Sequence, residues 1–266
     1  MTGPVSTVPN DSSFRRRLAA GEPVLGVFNC LPAFQVSEIL SHSSMDYIVI
    51  EAEHGATALP AMHAQVAAIA ERKPVVVRVA SDEPGVIKPI LDLGVTGIMV
   101  PDVRSADAAR DIVRQTRFAP EGTRGIGGSI RASRYGMDKG YFRDGPAEPI
   151  TVILQIESRE GLDNIAEIAA VDGVDAVFFG PMDLSAQLGH RGRPDAPEVA
   201  QAMDVAIRQL AGTACVAGCL CPPAKVGHWR DKGISLFLLG SDIGALTASV
   251  EAMASSVTRP DKEDAA

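Results

Sequence analysis

The strongest constraint on the fold is a rhythm. Short runs of consecutive apolar, often β-branched residues recur eight times, at 24–28, 46–50, 74–79, 96–100, 150–155, 175–179, 214–218 and 235–239. Runs that stay apolar on successive positions are strands covered on both faces, as in a parallel sheet. Longer amphipathic stretches such as PAMHAQVAAIAER, SADAARDIVRQTR and PEVAQAMDVAIRQLAG separate them. Alternation of strand and helix dictates parallel pairing, because the chain must cross back before each new strand. Eight such units predict a closed (β/α)8 barrel of the TIM type rather than an open doubly wound sheet.

Size and charge narrow the reading. The 266 residues are 46% hydrophobic, enough for one large core, and are read as a single catalytic domain over 1–266. Flexible tails are expected at 1–12 and 257–266, the latter within the polar stretch SSVTRPDKEDAA. A net charge of −8 makes nucleic acid and anionic membrane poor partners, since both require a basic face. No apolar run approaches the roughly 20 residues of a bilayer span, and the first residues lack the apolar core of a signal peptide. A cytoplasmic location is expected, with Cys30, Cys215, Cys219 and Cys221 as free thiols. One segment breaks the rhythm: 117–149 is rich in glycine and arginine and follows the fourth strand, so it is expected to overhang the C-terminal mouth of the barrel.

Barrel active sites sit at the C-terminal ends of the strands. The second predicted strand runs into Glu51, Glu53 and His54, the third carries Arg78, the fourth leads to Asp102, the fifth to Gln155 and Glu157, and the sixth to Asp183. Polarity resumes at any strand end, but a charge inside VVVRVA needs a partner or a ligand. Glu157 and Asp183 are the metal candidates. Two carboxylates on neighbouring strand ends form an all-oxygen set that suits Mg2+ or Mn2+ better than structural zinc. The competing reading makes Glu157 a helix start and Asp183 a turn cap. His54, at a strand end beside two acids, is a candidate base or water positioner. His42, His63, His190 and His228 read as surface or structural. Cys215, Cys219 and Cys221 have no clear fourth ligand and read as core or near-core thiols. The glycines of GTRGIGG do not link a strand to a helix and are no dinucleotide fingerprint. Asp242, in GSDIG, would repel phosphate and reads as a helix N-cap. No lysine ends a strand, Lys73 and Lys88 lying elsewhere, which argues against Schiff-base chemistry.

The segments IEAEHG, VVRVA, LDLGVTGIMVPDV, EGTRGIGG and LQIESREGLDNIAEIAAVDGVDAVFFGPMDLSAQLG together resemble the HpcH/HpaI aldolase family, from about residue 22 to residue 255. That resemblance implies a barrel of the phosphoenolpyruvate/pyruvate superfamily type. It implies a class II aldolase, a carbon–carbon lyase that converts a 4-hydroxy-2-oxo acid reversibly to pyruvate or hydroxypyruvate and an aldehyde. The cofactor would be a divalent metal, Mg2+ or Mn2+, with Co2+ a further candidate. Glu157 and Asp183 match the metal-binding carboxylates, and Gln155 an amide lining the substrate site. Arg78 matches the arginine that binds the 2-oxo acid and steadies its enolate. His54 matches the active-site histidine, and Asp92 its acidic partner in a dyad. The backbone near Met182 and Asp183 matches the clamp on the substrate carboxylate, Phe28 a wall residue and Leu220 a border of the acceptor pocket. Glu51 departs from the family's usual aspartate and is expected to alter the surroundings of His54. A homo-oligomer, typically a hexamer with swapped C-terminal helices, is also implied, and the apolar, alanine-rich 242–256 suits it. Citrate-forming synthases, macrophomate-type synthases and thioester lyases would share Glu157, Asp183 and Arg78 and form the alternative. A barrel that only binds a 2-oxo acid or a metal is the non-catalytic one.

Overall fold

A computed structural model describes residues 12–146 and 149–257, so the expected tails lie outside it apart from Ser12 and Val257. The eight apolar runs form β1 (Val24–Asn29), β2 (Tyr47–Glu51), β3 (Val75–Arg78), β4 (Gly97–Val100), β5 (Thr151–Ile156), β6 (Ala176–Phe179), β7 (Val216–Leu220) and β8 (Ile234–Ser241). All pair in parallel and in chain order, and β8 closes on β1. The predicted seventh strand is displaced by two residues, its true start being Val216.

Helices fill the connections. α1 (Ser12–Ala19) precedes β1, and α2 (Phe34–Ser41), α3 (Leu59–Ile69), α4 (Pro84–Asp92) and α5 (Ala106–Thr116) follow the first four strands. The short α6 (Tyr141–Asp144) leads into β5, which is followed by α7 (Arg159–Asp163) and α8 (Ile165–Ala169). α9 (Pro181–Gln187) and α10 (Pro197–Gln209) join β6 to β7, α11 (Val226–Arg230) joins β7 to β8, and α12 (Asp242–Ser255) comes last. None of the described helices is long and apolar enough to cross a membrane.

Strand parity explains the unbroken apolar runs. Successive side chains point to opposite faces, and both faces are buried. Val24, Phe28, Tyr47, Val49, Val76, Met99, Ile153 and Phe178 fill the interior of the barrel. Ile48, Ile50, Val77, Ile98, Leu154 and Phe179 pack outward beneath the helices. Gly26 leaves room for the Tyr47 ring, which a Cβ would meet head on, and the Tyr47 hydroxyl donates to the Phe237 carbonyl at 3.1 Å. Phe14 and Leu18 of α1 join the interior cluster, with Phe14 5.2 Å from the Tyr47 ring. Ion pairs from Arg15 to Asp175 and from Arg17 to Asp46 hold α1 there, so it plugs the end where the strands begin.

The described residues of the 117–149 segment do not overhang the mouth. α5 stands between it and β4, and by the end of α5 the chain has already returned to the side where strands begin. There Arg131 Nη1 donates to the Leu93 carbonyl at 2.8 Å. The side chain of Arg124 is fully buried, and its Nη2 donates to the Leu91 carbonyl, Asp92 Oδ1 and the Tyr141 hydroxyl at 3.1, 3.2 and 3.2 Å. Its guanidinium lies 4.7 Å from the Phe118 ring centre.

A buried polar joint closes the barrel between β1 and β8. Asp242 accepts from Asn29 Nδ2 and the Leu31 amide through one oxygen, and from the Cys30 and Ile243 amides through the other, at 2.8–3.0 Å. The N-cap of α12 is Ser241, whose hydroxyl accepts from the Gly244 amide at 3.0 Å. The capping role read for Asp242 therefore passes to its neighbour, because the Asp242 side chain is turned inward to the end of β1.

Candidate active site

Parity also builds the site. Phe28, Glu51, Arg78 and Gln155 stand on the inward-facing positions of β1, β2, β3 and β5, Phe28 at the top of the apolar interior layer and the three polar side chains one step above it. Glu157 and Glu53 lie two residues beyond Gln155 and Glu51, and Leu220 is the exposed last residue of β7.

The β2–β3 register sets Glu51 opposite Arg78. Glu51, 3% exposed, is fully engaged. Its Oε1 accepts from the amides of Glu53 and His54 at 2.7 and 2.9 Å, shaping the turn that carries His54. Its Oε2 accepts from Arg78 Nε at 2.7 Å and also pairs with Nη2. Arg78 Nη1 reaches Gln155 Oε1 at 3.5 Å, and the guanidinium lies 4.7 Å from the Phe28 ring centre. The charge inside the apolar strand thus has a carboxylate, an amide and a ring to hold it.

Gln155 passes the chain of contacts on, donating from Nε2 to Glu157 Oε2 at 2.8 Å. The other Glu157 oxygen accepts from the Asp102 amide at 2.9 Å. Asp102 has φ +47°, a left-handed conformation that aspartate tolerates better than most residues. Gly180 makes room on the far side, since a Cβ there would run into Glu157 Oε2. Burial, and then the charges of Glu53 and Asp183, push the Glu157 carboxyl up to about 7. Burial likewise raises Glu53, against the pull of Arg78 and His54 and with a push from Glu51 and Asp183. Glu53, Glu157 and Asp183 thus lie close enough to repel one another, and the buried Glu53 Oε2 has no hydrogen-bond partner.

Such a donor set suits a hard divalent cation: its donors are oxygens and its charge balance is negative. Among the described residues no three His, Cys, Asp or Glu side chains form a ready-made ligand set. Glu157 and Asp183 would hold the ion and leave positions for water and a chelating substrate. Asp183 and Met182 lie in the first turn of α9, with the Met182 side chain exposed.

His54 stands at the rim, its side chain 68% exposed, with Nε2 3.7 Å from Glu53 Oε1. The expected His54–Asp92 pair does not form within one chain. Asp92 ends α4, on the side where strands begin, and its partner among the described residues is Arg124. His63 meets the Tyr135 hydroxyl and His190 meets Glu198 and Arg193, as suits structural roles. All four cysteines are free thiols. Cys219 and Cys221 point outward into the layer under the helices. Burial pushes the Cys30 and Cys215 thiols up to about 12, which disfavours the nucleophilic thiolate.

Sequence reading assigned no role to Glu53, the Asp102 amide or Gly180. Parity with Glu51 was the available signal for Glu53. The other two act by backbone conformation and by space, which residue type alone does not display.

A closed barrel with a clamped arginine and a group of carboxylates at its C-terminal mouth has the arrangement of a barrel enzyme, whose sites lie at that end. The chain belongs to the HpcH/HpaI aldolase/citrate lyase family, whose sequence model matches residues 25–248. It is 37% identical to a hydroxypyruvate/pyruvate aldolase of Deinococcus radiodurans, over 100% of this chain and 96% of that one. It is 36% identical to a 4-hydroxy-2-oxo-heptane-1,7-dioate aldolase of Klebsiella pneumoniae, over 93% and 94% of the two chains. A solved HpcH/HpaI aldolase/citrate lyase family protein from Burkholderia cenocepacia superposes with a TM-score of 0.88 at 32% identity, covering 92% of this chain and 98% of its own.

Proposed function

We propose that this chain is a divalent-metal-dependent class II aldolase, a carbon–carbon lyase that converts a 4-hydroxy-2-oxo acid reversibly to pyruvate or hydroxypyruvate and an aldehyde. One observation carries the reading: Arg78, held by Glu51 and Gln155 over Phe28, presents a fixed positive charge beside the Glu157 carboxylate. Full-length similarity to pyruvate-type aldolases supports it.

Carbon–carbon cleavage next to a 2-oxo acid leaves an enolate, so the 2-oxo oxygen gains negative charge as the bond breaks. Arg78 is pre-oriented for that oxygen and needs no reorganisation at the moment of reaction. Glu157 and Asp183 would hold the divalent cation, Mg2+ or Mn2+ with Co2+ a further candidate, which when bound would supply Lewis-acid stabilisation to the same charge. Gln155 orients Glu157, and the backbone at Met182 and Asp183 borders the substrate carboxylate. His54, through a water, moves the proton at the aldehyde-derived hydroxyl. Leu220 and Phe28 give the acceptor side an apolar wall.

The barrel as one catalytic unit, a cytoplasmic location and assembly as a homohexamer complete the reading. Assembly is supported by α12, where Ile243, Leu246, Val250 and Met253 recur at helical spacing and all stand exposed.

Exchange of pyruvate methyl protons in D2O, followed by NMR after EDTA treatment, tests enolate formation without any aldehyde. Exchange restored by Mg2+ or Mn2+, abolished in Glu157→Ala and weakened in Arg78→Ala, is expected. No exchange of pyruvate or hydroxypyruvate with any metal would move the assignment to another enolate chemistry of the superfamily.

A further inference from the structure

We infer that Glu53 is a third carboxylate of the metal site, acting through a cation-bound water rather than as a direct ligand. The inference rests on the aldolase reading above and gives a role to a residue that reading leaves unused. Glu53 turns inward from the end of β2, its side chain 18% exposed, with Oε2 3.2 Å from Arg78 Nε. Proximity does not make a hydrogen bond there. Nε donates to Glu51, Nη2 also pairs with Glu51, and Nη1 is directed at Gln155. Glu53 Oε2 is therefore buried and lacks a donor. Oε1 is no better placed, at 3.7 Å from His54 Nε2, beyond hydrogen-bond reach. A carboxylate that exists only to pair with Arg78 would share its fork. This one is left over from that pairing and faces two more carboxylates of the same sign.

Arg78 supplies an ion pair to Glu53 Oε2 but no hydrogen bond, and a donor from outside the chain would complete it. Small divalent cations keep several of their waters, and those waters are strongly polarised donors. Direct ligation is disfavoured, because Glu53, Glu157 and Asp183 do not converge as a three-residue ligand set. A water between cation and Glu53 Oε2 satisfies the orphaned oxygen and relieves the repulsion together. Glu53 is thus a positioning residue for the cation's open face, where substrate must enter.

The test measures Mn2+ binding to the metal-free, full-length protein by EPR of the free ion, with thermal unfolding of the same samples. Glu53→Gln is expected to raise the Mn2+ Kd about tenfold, and Glu53→Ala further, as loss of an outer-sphere partner does. The melting temperature of the metal-free Glu53→Gln protein should equal or exceed that of wild type, because a repelling charge has gone. A Glu53→Gln Kd within about twofold of wild type overturns the inference. A lowered metal-free melting temperature beside that unchanged Kd identifies Glu53 as a structural partner of Arg78 instead. Wild-type protein that fails to bind Mn2+, or binds it undiminished after Glu157→Ala, removes the aldolase reading itself, and this inference with it.

Discussion

Replacing Arg78 by methionine removes a charge that two neighbours are built around. Glu51 would keep its two turn amides but lose its counter-ion inside a nearly closed site. Breaking a buried pair on one side costs about 3 kcal/mol or more, and urea unfolding of Arg78→Met should show a loss of that order. Adding Glu51→Gln to the same chain should recover most of the stability, while pyruvate exchange stays depressed by about 100-fold or more, as loss of a charge-stabilising donor implies. Recovery of exchange in the double variant would deny Arg78 its role. Glu157 makes a second prediction at this scale. Its carboxyl is raised from an ordinary 4.5 to about 7. The metal-free folded state therefore holds an extra proton that the unfolded chain has released. This contribution to stability is fully present below pH 4.5 and is lost as pH rises through about 7. Metal capture must displace the proton. Calorimetric titration with Mn2+ in buffers of different ionisation enthalpy should show about one proton released per ion at pH 6 and much less at pH 8.

At the scale of elements, closure of the barrel depends on more than strand pairing. The β1–β8 pairing shifts register between Gly26 and Phe28, and Asp242 sits where that irregular seam ends. Its four acceptor bonds fix the Cys30–Leu31 turn and the start of α12 together. Asp242→Ala would leave three backbone amides without that acceptor and reduce Asn29 Nδ2 to its bond with the Leu31 carbonyl, and should cost about 2–4 kcal/mol in chemical denaturation. Amide exchange should rise first in β1 and β8. Uniform loosening of all eight strands would show that the joint does not act locally. The same scale explains the misplaced 117–149 segment. Its glycines and arginines mark an irregular insertion, yet which end of the barrel it decorates depends only on whether a helix has intervened. α5 had, and the fully buried Arg124 then pins the insertion to the end of α4.

For the whole molecule, the least settled surface is α12. Its apolar stripe has no cover in one chain, although the helix is well formed and capped by Ser241. Covering such a stripe against copies of itself is the ordinary outcome for an exposed apolar patch. Leu246→Glu combined with Val250→Glu places two charges on that stripe. Sedimentation velocity should show the wild type as an oligomer and the double variant as smaller species. An unchanged distribution would mean that assembly uses another surface.

The sequence by itself determined the barrel and most of its mouth. Apolar runs on consecutive positions admit only strands buried on both faces, and eight alternations with helices close the sheet in order. Parity then places Phe28, Glu51, Arg78 and Gln155 on the inner face, so their meeting was legible from spacing. Tertiary structure decided what spacing cannot encode. It gave Glu51 the clamp on Arg78, turned the Asp102 amide toward Glu157 and left Glu53 Oε2 without a donor. It also turned Asp242 from a cap into a strand-end anchor and, within one chain, tied Asp92 to Arg124. Each of these depends on distances between residues far apart in the chain. Only closure of the barrel, with every helix returned to its own end, brings such residues within reach of one another.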